Sequence, residues 1–493
     1  MLRSEKITNN TKAVQAPTIS NGMKLFLIGF GHMRRDQIEV ARMLQKNHTI
    51  QYWVRMNSHF TIDETEFPKT VFHEYTDAIR GISPRGIDAF AFEPWSSKDI
   101  AEYAETESEC MTMADKLYPD WSVNRRKDMY YDMLRYWIGV LGEYKPDCII
   151  FLGVPHEIST FVLYRIAKFQ GTRTIILENT LGIGHYAVFE DYTVGSEDLI
   201  VDDKEQGRAT TVNDLSAEMR AFYERVSKGE DPVPAYVQKY RDTYAKRNLR
   251  RWKDVVGRFI RDGTIFERAV MKIFKMMKPS LKDEHRANER PVDFKKPYVY
   301  FPLHYQPEAT TSPLGGIYVD QILAIQTLAA ALPEGWELYV KDHGVQLVVH
   351  HANFTPARYP GFYARIASTP RVRLIPITTN TFKLIDSAKT TATIAGTAAW
   401  ESLLRGKAAL IFGYPWYMHA PGIFRVASVE DCRRAFSKIM QGFAPRESDI
   451  LGFLQRVDRT SLHGDVVRPT PHAEMETYAK EMYEAIQHKL TAA

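Results

Sequence analysis

The chain has 493 residues, of which 44% are hydrophobic and 25% charged, a balance typical of an ordered globular protein with two or three domains. The formal net charge of +4 is too small to indicate a nucleic-acid-binding protein. The three cysteines, Cys110, Cys148 and Cys432, have no C-x-x-C spacing. They support neither a disulfide framework nor a zinc site, and they favour a reducing cytoplasm.

A polar lead-in and a strand–helix–strand unit open the chain. Residues 1–22 contain no apolar core, so we interpret them as a disordered lead-in and not as a signal peptide. Met23–Gly29 predicts a strand, an amphipathic helix runs through Leu44, and His48–Arg55 predicts the next strand. This opening is typical of a doubly wound sheet, and we assign residues 23–204 to an N-terminal Rossmann-like domain.

Gly29-Phe30-Gly31 resembles the start of a nicotinamide-binding fingerprint. The third glycine position of that motif holds Arg34, and Arg55 stands where an acidic residue would close the second strand. Both the third glycine and the ribose-binding carboxylate are therefore missing. We predict no nicotinamide and no other cofactor.

Two further strands of the N-terminal half end in polar loops. Cys148–Leu152 precedes a loop that carries His156 and Glu157, and Thr174–Leu177 precedes Glu178. The carboxyl ends of neighbouring parallel strands meet at one edge of a sheet. We therefore expect these side chains to line a shared site.

Residues 205–297 differ in composition from the segments on either side. Predicted helices dominate there, and cations alternate with large apolar residues between Lys246 and Lys278. One interpretation is a solvated helical insertion packed on the sheet domains. Another is an amphipathic basic surface that rests on anionic lipid, and nucleic acid is the least favoured partner.

Strand–helix alternation resumes at residue 298 and continues to about residue 442, which predicts a second parallel sheet. Its strands are predicted at Tyr298–Leu303, Glu337–Val340, Val372–Ile375, Thr391–Ile394 and Ala409–Phe412. Residues 443–493 form a helical tail in which Ala473–Leu490 is predicted to pack back across both domains. The fold class is thus α/β, with two Rossmann-like domains, a helical insertion and a C-terminal crossing helix.

Two stretches of the C-terminal half indicate a nucleotide-sugar site. YVYFPLHYQPE, Tyr298–Glu308, is a buried strand that delivers polar groups to its carboxyl end. Further on, Gly396 and Thr397 begin a helix after a strand, where free N–H groups and the helix dipole favour a phosphate. Glu401, in the next turn of that helix, is placed to reach a ribose. Thr397 would equally well serve as an ordinary N-cap, and Glu401 as a solvent-facing glutamate.

The segments FPLHYQPEATTSP, LPEGWELYVKDHG and IAGTAAWESLLRGKAALIFGYPWY resemble the capsule polysaccharide biosynthesis proteins. The resemblance covers roughly Tyr298–Val426 and implies a GT-B glycosyltransferase. The best-understood members of that family transfer Kdo from CMP-Kdo. One motif departs from the family pattern, because the usual Lys-Glu-His-Pro reads Lys341-Asp342-His343-Gly344 here.

The resemblance implies roles for the C-terminal candidates. Lys341 and His343 would stabilise the departing phosphate without a metal. His304, Gln306 and Glu308 would grip the donor, together with Gly396, Thr397 and Glu401; Gln321 is a weaker candidate. Alternatively, Glu308 and Thr310 would cap a helix that starts near Pro313. His350 and His351 are adjacent and lack a suitably spaced carboxylate, so we predict no metal site.

The N-terminal half would then hold the acceptor. Its base or nucleophile is predicted among the polar residues of the strand-end loops, with Glu157 and His32 preferred over Asp36, His156 and Glu178. Arg34 and Arg35 would alternatively bind an anionic acceptor.

The sequence thus predicts a metal-independent, cytoplasmic glycosyltransferase of capsule or surface polysaccharide synthesis, with the inner membrane face as a possible place of attachment. Its partners would be a nucleotide-sugar donor and a glycan or lipid-linked glycan acceptor. The alternatives are a transferase that uses a UDP- or GDP-sugar, a non-catalytic binding subunit of a capsule assembly complex, and a sugar-nucleotide epimerase.

Overall fold

The computed structural model describes residues 22–31, 34–56, 62–181, 184–200, 211–228, 280–349, 354–466 and 474–492. His32, His350, His351 and the basic stretch between Lys246 and Lys278 lie outside these residues. The described residues form thirteen strands, which are β1 (Lys24–Ile28), β2 (Thr49–Arg55), β3 (Val71–Glu74), β4 (Cys148–Leu152), β5 (Arg173–Asn179), β6 (His185–Phe189), β7 (Tyr298–Pro302), β8 (Glu337–Lys341), β9 (Val372–Ile375), β10 (Thr390–Thr393), β11 (Ala409–Ile411), β12 (Ile423–Arg425) and β13 (Leu462–His463).

The helices surround and connect these strands. Within the described residues they are α1 (Asp36–Leu44), α2 (Tyr75–Ala78), α3 (Ser97–Glu102), α4 (Ala104–Met113), α5 (Val123–Tyr144), α6 (Ile158–Gln170), α7 (Ala217–Ser227), α8 (Leu281–Asn288), α9 (Gln321–Ala331), α10 (Gln346–Val349), α11 (Phe362–Ala367), α12 (Thr381–Ser387), α13 (Thr397–Leu404), α14 (Val429–Met440), α15 (Glu447–Thr460) and α16 (Met475–Thr491).

The strands build two sheets. The N-terminal sheet has the order β13-β6-β5-β4-β1-β2-β3, and the C-terminal sheet has the order β12-β11-β10-β7-β8-β9. All pairs in the C-terminal sheet are parallel, whereas β6 and β13 run antiparallel at one side of the N-terminal sheet. The predicted α/β architecture with two parallel-rich sheets is confirmed.

Both sheets are buried on their two faces, as parallel sheets require. In the N-terminal sheet, Phe26 and Ile28 face the core packed by α5 and α6, while Leu25 and Leu27 face α1 and α16. This arrangement explains why the strands are almost continuously apolar.

The end of the chain returns to the N-terminal sheet. Strand β13 pairs with β6, and α16 packs against α1 through Met482 and Ile486. The predicted C-terminal helix is therefore confirmed, one or two residues away from the expected bounds, and it packs on α1 of the N-terminal half. Within the described residues, every helix is too short or too polar to cross a bilayer.

Side chains from the two halves also touch directly. The rings of Tyr192 and Tyr414 lie 5.9 Å apart, and Nε2 of His419 lies 2.7 Å from the carbonyl oxygen of Val194. These contacts join the segment after β6 to the segment after β11.

Candidate functional site

The carboxyl ends of β10, β7 and β8 carry the candidate donor residues. These three strands are neighbours in the C-terminal sheet, so the loops that follow them start side by side. The loop after β7 carries His304, Gln306 and Glu308; β8 ends at Lys341; and β10 leads to Gly396 at the start of α13. The structure thus brings these sequence candidates to one edge.

His304 is fixed in the neutral state. Its backbone N–H donates to Oε1 of Gln321 at 2.7 Å, and its Nε2 accepts the backbone N–H of Ile394 at 3.3 Å. Since Nε2 is an acceptor, Nδ1 carries the hydrogen. Burial lowers the pKa of His304 to about 3, and the charge that His343 would carry when protonated and the charge of Arg358 act in the same direction.

Gly396 lies against the His304 ring. A Cβ at Gly396 would lie 2.5 Å from Cε1 and 3.2 Å from Nδ1 of that ring, so a side chain there would displace the imidazole. Gly396 is the N-cap of α13, and no side chain caps this helix end. The expectation that Thr397 is the N-cap is wrong; Thr397 is the first helical residue. The first N–H groups of α13 are available to an anion.

Thr397 and Glu401 form a pair on the first turns of α13. The Thr397 hydroxyl donates to Oε1 of Glu401 at 2.9 Å, and the hydroxyl of Tyr417 donates to the carbonyl oxygen of Gly396. Thr397 is exposed and Glu401 is half-buried. The pair therefore presents a hydroxyl and a carboxylate beside the helix N-terminus.

Lys341 supplies a buried cation at the same edge. Its Nζ donates to the carbonyl oxygen of Thr379 at 2.7 Å and to the Thr381 hydroxyl at 2.6 Å. Burial lowers the pKa of Lys341 to about 8, and the charge of Glu401 opposes that shift. The ammonium group is therefore charged at neutral pH and lies close enough to Glu401 for their charges to interact.

His343 is a hydrogen-bond donor at neutral pH, not a cation. Its Nδ1 accepts the backbone N–H of Val345 at 3.3 Å, which leaves the hydrogen on Nε2. Burial lowers the pKa of His343, and Lys341 and Arg358 lower it further against the opposing charge of Asp342.

A buried ion pair that sequence reasoning missed holds this edge together. The side chains of Arg358 and Asp342 are both sealed from solvent, and Arg358 donates to Asp342 through Nε at 3.2 Å and Nη2 at 3.0 Å. The same guanidinium donates to Oε1 of Gln306 and to the carbonyl oxygen of His304, each at 2.9 Å. Asp342 also accepts the N–H of His343 at 2.7 Å.

This network links the loop after β7 to the loop after β8. It fixes the His343 backbone even though Gly344 replaces the family proline. The sequence indicated only one member of this ion pair, because Asp342 stands where the family motif has Glu. Nothing in the local sequence pattern indicated Arg358.

Glu308 does not cap a helix. The segment after it turns through Gly316–Val319, and α9 starts only at Gln321, where Asp320 is the N-cap. The alternative of a helix that starts near Pro313 is therefore wrong. Glu308 is exposed to solvent, and the protein around it removes part of its hydration, which raises its pKa.

Lys116 of the N-terminal half is close enough to Glu308 for their charges to interact. Its Nζ donates to Oε1 of Glu157, which is buried at the start of α6, and its charge opposes the rise in the pKa of Glu308. Burial, reinforced by Lys116, lowers the pKa of His156. Sequence reasoning missed Lys116, because it stands in a polar helical stretch and not at a strand end.

Glu178 is a further titratable group at the carboxyl end of β5. Its Oε2 accepts the backbone N–H of Val154 at 2.7 Å. Burial raises its pKa to about 7, and Asp465 adds to that shift. A carboxyl group with this pKa can both give and take a proton near neutral pH.

Arg34 and Asp36 form an ion pair whose side chains are sealed from solvent. Arg34 also donates to the carbonyl oxygen of Asp465. Because both side chains are buried in this ion pair, we interpret Arg34 and Asp36 as structural residues. Neither is placed to contact an acceptor.

The chain matches no protein-family model and no curated protein. Among solved structures it is similar to a beta-Kdo 2,7 transferase, KpsC of Thermosulfurimonas dismutans, at 11% identity, over 72% of this chain and 89% of that chain, with a TM-score of 0.29. It is also similar to UDP-GlcNAc 2-epimerase of Methanocaldococcus jannaschii at 9% identity, over 89% and 99% of the two chains, with a TM-score of 0.25.

A third similar structure is UDP-GlcNAc 2-epimerase of Neisseria meningitidis bound to UDP-GlcNAc, at 12% identity, over 94% of this chain and 100% of that chain, with a TM-score of 0.24. Likeness at this level carries no argument about function. The interpretation of the site therefore rests on its own side chains.

Proposed function

We propose that the chain is a GT-B-type glycosyltransferase that binds a nucleotide-sugar at the C-terminal sheet edge. The observation that carries the proposal is the cluster around Gly396. An uncapped helix N-terminus, the Nδ1–H of neutral His304 and the charged Lys341 gather at one sheet edge, beside the carboxylate of Glu401. Phosphate oxygens suit the donors, and ribose hydroxyls suit the carboxylate.

The chemistry follows from the charge that develops during transfer. Negative charge builds on the departing nucleotide phosphate as the bond to the sugar breaks. Lys341 would neutralise part of it, and the N–H groups of His304, His343 and α13 would donate hydrogen bonds to it. Preorganised donors of this kind supply the stabilisation without a metal, and the buried Arg358–Asp342 pair keeps their loops in place.

The acceptor would lie across the cleft on the N-terminal half. Glu178 and Glu157 are the described carboxylates placed there to take a hydroxyl proton or to stabilise a cationic sugar centre. Glu178 is the better base, because its pKa lies near 7. Glu157 already forms an ion pair with Lys116. We assign residues 23–204 to the acceptor domain and residues 298–442 to the donor domain.

The donor that the sequence resemblance favours is CMP-Kdo, and a capsule or surface polysaccharide precursor would be the acceptor. UDP- and GDP-sugars remain the alternatives, since none of the contacts around Gly396 distinguishes one base from another. A lipid-linked acceptor would suit a peripheral protein on the inner membrane face.

A second candidate function is sugar-nucleotide epimerisation. Glu178 favours it, because inversion at a carbon removes a proton from one face and returns a proton to the opposite face, and a carboxyl with a pKa near 7 would serve as one of the two groups needed. Incubation of a nucleotide-sugar without acceptor distinguishes the two functions. An epimerase converts the sugar under these conditions, whereas a transferase needs an acceptor.

The test of the proposal is calorimetric titration with CMP, UDP and GDP, followed by an assay with the matching sugar and a glycan acceptor. We expect one nucleotide to bind, and the binding to weaken in Glu401→Ala. Glu334→Ala is the matched control, because Glu334 is exposed just before β8, at the opposite edge of the same sheet. Binding of none of the three nucleotides would overturn the proposal, and binding without turnover would favour a non-catalytic subunit.

A further inference from the structure

Three potential metal ligands meet beside the outer strands of the N-terminal sheet. His185 of β6 and His463 of β13 are directly opposed across the antiparallel pair, and their ring centroids lie 5.0 Å apart. Glu218, in the first turn of α7, approaches both. One ligand atom from each of the three residues lies within 4.8 Å of the other two.

The position of each ligand is set by contacts of its own chain segment. His185 is 1% exposed, and just beyond His463 the N–H of Gly464 donates to the carbonyl oxygen of Gly184 at 2.7 Å. The Ser216 hydroxyl caps α7 by accepting the N–H of Met219 at 3.2 Å. The three side chains are therefore brought together by the fold and not by a flexible loop.

Two imidazoles and one carboxylate are a ligand set that zinc accepts, with ligand bonds of about 2.0–2.2 Å. In a tetrahedral site such bonds place ligand atoms roughly 3.4 Å apart, so small side-chain rotations would close the observed cluster around an ion. We propose that His185, His463 and Glu218 bind a divalent transition metal of the zinc class. The fourth position would be open to water.

The ion would join segments that belong to different parts of the molecule. His185 lies in the N-terminal sheet, and β13 is the strand by which the chain returns to that sheet. The residue after Glu218, Met219, lies in a core cluster with Ala399 and Leu403 of α13 and with residues of α15. A bound metal would therefore clamp the N-terminal sheet to the helices that support the proposed donor helix.

The site can be tested with zinc on the full chain. Glu218 and His463 are both exposed, so Glu218→Gln and His463→Ala should fold normally. The matched control is His488→Ala, because His488 is an exposed histidine of α16. After removal of metal with a chelator, zinc is titrated by calorimetry and its content after dialysis is measured. Cobalt absorption reports the coordination geometry.

We expect one zinc ion per chain in the unmodified protein and in His488→Ala. Loss of an outer-shell partner weakens metal sites by about 10–100-fold, so loss of a direct ligand should cost roughly 100-fold or more in each ligand variant. Zinc should also raise the unfolding midpoint of the unmodified protein and not that of the Glu218→Gln/His463→Ala double variant. Equal zinc affinity in the unmodified protein and the double variant, or no binding by the unmodified protein, would overturn the proposal.

Discussion

The carboxyl edges of the two sheets are built from different kinds of polar groups. The C-terminal edge is joined by the buried Arg358–Asp342 pair and carries His304 and His343 as neutral donors. The N-terminal edge carries Glu178, whose pKa lies near 7, and Glu157 paired with Lys116. The C-terminal edge is thus preorganised around a buried ion pair, while the N-terminal edge holds a carboxyl group, Glu178, that can change protonation near neutral pH.

This difference suits a protein in which the C-terminal edge binds the leaving group and the N-terminal edge transfers a proton. A rigid, buried network costs no reorganisation when negative charge appears on a leaving group. A half-buried carboxyl with a raised pKa is useful only where a proton moves. The first five of the following experiments each perturb one edge, and the last perturbs the segment between the two halves.

The largest effect is expected from Arg358→Met. Removal of the guanidinium leaves Asp342 buried without a counter-charge, which typically costs about 3–5 kcal/mol of the free energy of unfolding. Denaturant unfolding measures this loss. Arg433→Met is the control, because Arg433 is an exposed surface residue of α14 and its loss should change stability by only about 0.5 kcal/mol. A loss below about 1 kcal/mol in Arg358→Met would show that the pair does not hold the edge together.

Lys341→Ala should reduce turnover by about 10²–10³ while the protein stays folded, because one transition-state donor is lost. In the unmodified protein kcat/KM should fall as the pH rises through about 8, where Lys341 loses its charge. Lys295→Ala is the control, since Lys295 is exposed before β7 at the opposite edge. Steady-state kinetics across pH provide the measurement.

His343→Ala sharpens the same test. If Nε2–H donates to the leaving phosphate, turnover should again fall by about 10²–10³. Near-normal turnover in His343→Ala beside an inactive Lys341→Ala would assign the role to Lys341 alone. Normal turnover in both variants would remove the catalytic role from this edge.

Glu401→Ala should weaken nucleotide binding by about 1–3 kcal/mol, the scale of a lost charge-assisted hydrogen bond. Calorimetric titration measures the affinity, and circular dichroism checks that α13 is intact. Affinity equal to that of the Glu334→Ala control would show that Glu401 does not contact the nucleotide.

Glu178→Gln tests the N-terminal edge. The pKa of Glu178 rises on folding from its ordinary value of 4.5 to about 7, so the folded protein binds more protons than the unfolded chain between these values. Stability should therefore fall as the pH rises from about 4.5 to about 7, by an amount on the order of 1 kcal/mol for a half-buried group. Glu178→Gln should remove this fall, and an unchanged pH profile of unfolding would contradict the assignment.

The smallest effect per residue is expected in the insertion between the two halves. Each cation near an anionic bilayer is worth about 1 kcal/mol, so changing Arg250, Arg251, Lys272 and Lys275 to Glu should abolish flotation with anionic liposomes. Neutral liposomes are the control. Equal flotation on both, or on neither, would favour a packed helical insertion.

Local pattern was enough to predict most of the fold and part of the site. Apolar runs such as Cys148–Leu152 and Val372–Ile375 form strands with the predicted bounds, because strands buried on both faces must be continuously apolar. Gly396 could also be predicted as a site residue from the sequence, because it stands at a strand-to-helix turn. A glycine there allows close packing and leaves the start of the helix without a capping side chain. The roles of these site residues stay predictions.

Only the tertiary structure decided which distant groups meet. Arg358 pairs with Asp342, Lys116 pairs with Glu157 and acts electrostatically on Glu308, and β13 pairs with β6 at His185. Strands as short as Leu462–His463 carry no periodic signal. Ion pairs between remote segments leave no spacing in the chain, because their partners are selected by packing and desolvation in the folded protein. For the same reason, the neutral state of His304 and the raised pKa of Glu178 follow mainly from burial, with nearby charges adding to each shift.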